Sequence, residues 1–145
     1  MNLIAVIILI ALGLNLLLHI SADVCNLKNL STELPDAFRD WYDPKRYRDS
    51  QEYLRINTRF EWIAELVSLV VFLGVWFGHG FPLLDQWVRT FAHSPIIRGL
   101  IYIGVLVAAK ALISLPFSVY STFVIEERFG FNRTDAKTFV LDLIK

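Results

Sequence analysis

The sequence holds a single cysteine, Cys25, among 145 residues. No disulfide can close within the chain, and a metal site built from several thiolates is excluded. Histidine is almost as scarce. His19, His79 and His93 are the only three, and no two stand four apart, so no helix presents the paired imidazoles of a HExxH zinc site. Charged residues make up only 19%, against about 25% in an ordinary soluble domain. Their sum is zero and they fall in blocks, which leaves no broad basic field and argues against nucleic acid as a partner.

What fills the space is apolar: 55% of residues are hydrophobic and mean hydropathy is +0.50. Three runs stand out, near residues 3–22, 63–84 and 96–125. About 20 helical residues at 1.5 Å rise cross the roughly 30 Å hydrocarbon core of a bilayer, so each run is long enough for a membrane span. The first run, Leu3 to Ala22, carries no charge, with Asn15 and His19 on one helical face as candidates for an interhelical hydrogen bond. A cleaved leader is the rival reading, since Ser21 and Ala22 are small, but no Lys or Arg precedes the run.

Residues 23–59 read as a polar loop with helical content. Asp43 followed by Pro44 supplies an N-cap and a first-turn proline, so a helix is predicted to start there and run toward Phe60. The second span is anchored by aromatic rings at Trp62 and at Trp76 to Phe81. Glu61 and Glu65 stand one turn apart at its entrance, where carboxylates favour the positive end of a helix; cation binding is the alternative. Beyond His79, Gly80 and Pro82, the residues Leu83, Leu84, Trp87, Val88 and Phe91 share one face, which predicts a short interfacial helix.

The third span contains Lys110 and Pro116. An ammonium this deep points to a polar interior, and a proline removes one backbone donor and is predicted to bend the helix. After residue 125 comes a tight corner, Glu126 to Asp135, where Gly130 can end one helix in the left-handed conformation and Asn132 can cap the next. The last helix places Phe139, Val140, Leu143 and Ile144 on one face and meets no stop signal before Lys145, as if the chain were cut within it. N-x-[ST] patterns begin at Asn29 and Asn132, short enough to arise by chance.

Seven Lys and Arg lie in residues 23–59, two in 80–98 and four after 125. Eleven against two predicts that the first loop and the C-terminal corner are cytoplasmic and the N-terminus outside, in a periplasm or lumen, which would also keep both Asn patterns from glycosylation.

The run Leu115-Pro116-Phe117-Ser118-Val119-Tyr120-Ser121-Thr122-Phe123-Val124-Ile125-Glu126-Glu127, followed by Phe129-Gly130-Phe131-Asn132, resembles the N-terminal membrane region of the CAAX prenyl protease 1 family, the a-factor-converting or lamin-processing zinc endopeptidases. Tyr47, Ser50 to Arg55 and Thr58-Arg59-Phe60 are similar to the segment leading into that family's second membrane helix. The resemblance covers roughly residues 34–145. It implies an all-α integral-membrane fold: three transmembrane helices, a helical cytoplasmic loop, an interfacial helix and a C-terminal amphipathic helix, together forming part of a larger multi-helix barrel around a water-filled chamber. It also implies zinc in the intact protein, bound by a HExxH and a downstream glutamate that this chain lacks, so that the chain alone binds none and is inactive.

The residues of expected structural importance are Pro116, Glu126, Glu127, Gly130, Phe131 and Asn132, and Lys110 is expected to face the chamber. The implied partners are membrane lipids, a C-terminal catalytic half and a peptide or protein substrate, for C-terminal CAAX processing or membrane-protein quality control. The rival from another class is a complete, non-enzymatic three-helix protein, an assembly or transporter subunit, with Lys110 paired to a carboxylate on a partner helix.

Overall fold

A computed structural model describes residues 2–38 and 40–144 of the chain. Its order is α1 (Leu3–Lys28), a 3-10 turn (Asp36–Phe38), α2 (Pro44–Phe77), α3 (Gly80–Arg89), α4 (Pro95–Tyr120), a π-helical turn (Ser121–Glu126) and α5 (Ala136–Ile144). No strand occurs among the described residues. Three helical stretches are long and apolar enough to cross a membrane: Leu3–Lys28, Pro44–Phe77 and Pro95–Glu126. The chain divides into two compact units, Met1–Trp62 and Ile63–Lys145.

In the first unit, Asn2 caps α1 by accepting the Ala5 amide at 2.9 Å. The helix continues past Ala22 to Lys28, so Asp23 to Lys28 are helical rather than part of a loop. Nothing local stops it earlier, because Asp23 and Asn26 are tolerated in a helix already propagating. At its end, the Asn29 amide reaches the carbonyls of Asn26 (3.1 Å) and Cys25 (3.3 Å), and its side-chain Nδ2 also donates to Cys25. The Asn29 side chain is thus a helix cap. Asp43 starts α2 by accepting the Lys45 amide at 3.0 Å, with Pro44 in the first turn. From there one helix runs past Phe60 and on through the apolar stretch of the second span to Phe77. The indole Nε1 of Trp62 on α2 donates to Asp23 Oδ2 on α1 at 2.7 Å, and Leu34 and Thr58 are the buried side chains among the described residues of this unit.

In the second unit, α2 ends at Phe77, before the expected end of its span at Leu84. The break is at Gly78-His79-Gly80, where His79 is left-handed at φ 60. A Cβ at Gly80 would stand 2.7 Å from Val75 Cγ1, so glycine is what lets α3 start so close to the end of α2. Phe72 and Phe81 hold this corner with ring centroids 5.9 Å apart. Of the predicted apolar face of α3, Val88 is fully buried, with Ala92 beside it, whereas Leu83, Trp87 and Phe91 stay exposed. Trp87 and Phe91 stack edge-on at 4.8 Å. Arg89 pairs with Asp85 at 2.7 Å on the polar side, a distribution suited to a head-group boundary.

Buried hydrophobic side chains are few: Leu34, Val88, Ala92 and Ile125 among the described residues. The spans therefore have no water-excluding core of their own. Their aliphatic faces require hydrocarbon or further protein, while their helical backbones satisfy themselves, as a bilayer demands.

Candidate functional site

Several hydrogen bonds cluster at the turn after the third span. The Glu126 carbonyl accepts the amides of Phe129 (3.2 Å), Phe131 (2.9 Å) and Asn132 (3.3 Å), and the Glu127 carbonyl accepts that of Gly130 (3.0 Å). The bonds from Phe131 to Glu126 and from Gly130 to Glu127 form a Schellman motif, with Gly130 in the left-handed position at φ 70. Open space surrounds the missing Cβ, so glycine is needed there for its backbone and not for room. The Glu127 carboxylate then accepts Asn132 Nδ2 at 2.9 Å, which braces the corner with a charge-assisted bond.

Asn132 does not cap the following helix. Its Oδ1 accepts the Thr134 amide at 2.7 Å, closing an Asx turn. The cap is Asp135, whose Oδ1 accepts the Thr138 amide at 2.8 Å. These bonds to Thr138 hold the Asp135 carboxyl below the usual aspartate range. The sequence signal was present, an Asp immediately before the helical run, but Asn132 carried it equally well by residue type. The rings of Phe123 and Phe139 meet at 5.3 Å and seat α5 against the π turn. Phe129 and Phe131 stack at 6.4 Å, with the Arg128 guanidinium 5.7 Å above Phe129. Leu143 and Ile144, predicted to share the α5 face, have side chains outside the described residues, as does Lys145 altogether.

Pro116 lies inside α4, which runs unbroken through it to Tyr120 before widening into the π turn. The turn buries Ile125. Such a turn absorbs an extra residue within a helix and had no signature in the sequence. Lys110 is exposed on α4, on the same face as Leu100, Ile103 and Val107, and no carboxylate pairs with it among the described residues. No contact among the described residues brings it near the Glu126 to Asn132 corner.

Zinc does not fit the residues present. Among the described residues no three His, Cys, Asp or Glu side chains gather closely enough to hold a metal ion, and His79 and His93 are both exposed.

Residues 23–145 match the family model described as CAAX prenyl protease N-terminal, five membrane helices. The match begins within the last turns of α1, so the α2 and α4 spans lie inside it and most of the first span precedes it. The chain is 31% identical to the probable CAAX prenyl protease 1 of Schizosaccharomyces pombe, over 77% of its own length and 26% of the relative's. It is 42% identical to the human CAAX prenyl protease 1 homolog, over 79% of its length and 26% of that protein. The crystal structure of S. mikatae Ste24p matches with a TM-score of 0.78 at 26% identity, over 92% of this chain and 32% of that one. The chain spans about a quarter of the length of the curated relatives it matches. It belongs to the CAAX prenyl protease family, as part of that family's N-terminal membrane region.

Proposed function

We propose that this chain is the membrane-anchoring and chamber-forming N-terminal region of an integral-membrane zinc metalloendopeptidase. The observation that carries this reading is the structural likeness to Ste24p over 92% of the chain, joined to a family match that includes the whole Glu126 to Asn132 corner. The reaction is hydrolysis of peptide bonds, in C-terminal CAAX processing or in membrane-protein quality control. The zinc ligands belong to sequence outside this chain, and the chain alone is inactive and binds no zinc. What its own residues contribute is lipid anchorage through the three spans, a wall of the chamber and a rigid turn at Gly130.

The Lys and Arg distribution supports a cytoplasmic first loop and C-terminal corner, with the N-terminus outside. On this reading Lys110 faces the water-filled chamber, because hydrocarbon would charge its ammonium about 2.5–3.5 kcal/mol at mid-membrane. Sequencing the source gene past codon 145 tests the proposal. A HExxH with a downstream glutamate is the expected result, and a reading frame that closes without one overturns it in favour of the non-enzymatic three-helix subunit.

A further inference from the structure

In the first unit, α1 and α2 border an open groove of about 290 Å³ lined by Val24, Leu27, Lys28, Arg55 and Arg59. Three of its five lining residues are cations, and no carboxylate pairs with any of them among the described residues. Of the acids nearby, Asp23 accepts the Trp62 indole and Glu61 accepts Asn57 Nδ2, each at 2.7 Å, and Glu52, three residues before Arg55, makes no ion pair with it among the described residues. Lys28 alone would need no ligand, since a cation in the last turn of α1 complements the helix dipole. Arg55 and Arg59 have no such explanation. They stand one turn apart in the interior of α2, where like charges repel, and the packing of α1 adds a third positive charge to them.

The position of the groove says what anion would relieve this. Arg59 is followed on α2 by Trp62, an aromatic of the kind that anchors at the membrane interface, and then by the apolar stretch of the second span. Lys28 likewise follows the apolar run of α1. The cations therefore lie at head-group depth, while Val24 and Leu27 give the groove an apolar wall continuous with the hydrocarbon-facing part of α1. Its volume is at the small end of the roughly 300–1,000 Å³ of ligand pockets, suited to a phosphate head group. Basic pockets between membrane helices bind such groups.

We infer that Lys28, Arg55 and Arg59 form a binding site for the phosphate of an anionic phospholipid, seated between α1 and α2. A free phosphate shares the charge chemistry but would make no use of the apolar wall, and a lipid is already held by the bilayer at the right depth. The site is independent of any proteolytic activity.

The test uses the full-length protein in phosphatidylcholine nanodiscs containing a minor fraction of phosphatidylserine or phosphatidylinositol, with lipid retained after extraction counted by native mass spectrometry. The protein should retain anionic lipid in preference to phosphatidylcholine. Lys28→Gln, Arg55→Gln and Arg59→Gln together should lower retention about tenfold or more, whereas Lys45→Gln, Arg46→Gln and Arg48→Gln, an equal loss of charge at the start of α2, should leave it intact. Arg55→Lys with Arg59→Lys keeps the charge and should keep the lipid, which covers the case in which the triple neutral variant does not fold. No anionic preference in the unaltered protein overturns the site, as does equal loss in the two neutral triple variants. Displacement of the retained lipid by millimolar inorganic phosphate assigns the groove to a free anion and overturns the lipid assignment.

Discussion

Trp62 Nε1 donates to Asp23 Oδ2 at 2.7 Å across 39 positions of sequence, and this bond joins the C-terminal part of α1 to the middle of α2. A half-buried donor bonded to a carboxylate is costly to orphan, by about 1–3 kcal/mol. Asp23→Ala and Trp62→Phe should each destabilise the first unit by that order. The double variant should cost less than the sum of the two, because neither side then leaves an unpaired partner. Unfolding in mixed detergent, followed by circular dichroism, checks the cycle; strict additivity would show that the bond contributes nothing.

Gly130 has φ 70 with nothing near the position of a Cβ. Alanine would meet no clash and would pay only the left-handed backbone cost, about 1–2 kcal/mol. Gly130→Asn should recover part of that loss, since asparagine tolerates the conformation. Gly80 has no left-handed backbone to lose, so Gly80→Ala should destabilise through the clash alone, because the new Cβ stands 2.7 Å from Val75 Cγ1 and 3.0 Å from the Val75 carbonyl. Thermal inactivation of the purified protein ranks the three.

The Asp135 carboxyl is held below its ordinary value by its bonds to Thr138. A carboxyl with a depressed native pKa stabilises fully above its unfolded value, about 3.9, and that contribution disappears as pH falls through the native value. The amide of Thr138 should therefore be protected from hydrogen exchange at neutral pH and lose protection in acid. Asp135→Asn should keep the cap while abolishing the pH dependence, and Asp135→Ala should lose protection at every pH.

Lys110 shares its α4 face with Leu100, Ile103 and Val107, so whatever covers those residues also meets the ammonium. If the face lines a wet chamber, Lys110→Leu should leave insertion and stability unchanged or slightly improved. Lys110→Cys in a Cys25→Ser background should react with small hydrophilic thiol reagents in the assembled protein. Unfolding of Lys110→Leu would show instead a paired charge on a partner helix, and an inert cysteine would place the chamber elsewhere.

Cys25 is exposed near the end of α1. With the first loop in the cytoplasm, a membrane-impermeant thiol reagent should leave it unmodified in intact cells and label it after permeabilisation. Equal labelling in both states would reverse the orientation.

The sequence by itself determined the class of fold and the places where local chemistry decides the backbone. Three apolar runs long enough for a bilayer are legible because transfer into hydrocarbon depends on each side chain in turn. The start of α2 at Asp43-Pro44 and the left-handed stop at Gly130 are legible because capping and glycine geometry are decided within a few residues. Only the tertiary structure decided the rest. The end of α2 at Phe77 was hidden because Phe81, Leu83 and Leu84 keep the run apolar across the break, and hydropathy carries no information about direction. The choice of Asp135 over Asn132 as a cap followed from where the Schellman turn releases the chain. The meeting of Asp23 with Trp62, and of Lys28 with Arg55 and Arg59, depended on the approach of the last turns of α1 to the part of α2 that ends at Trp62. A helix pattern shows which residues share a face, but the partner of that face is set by contacts between distant segments, which no local spacing encodes.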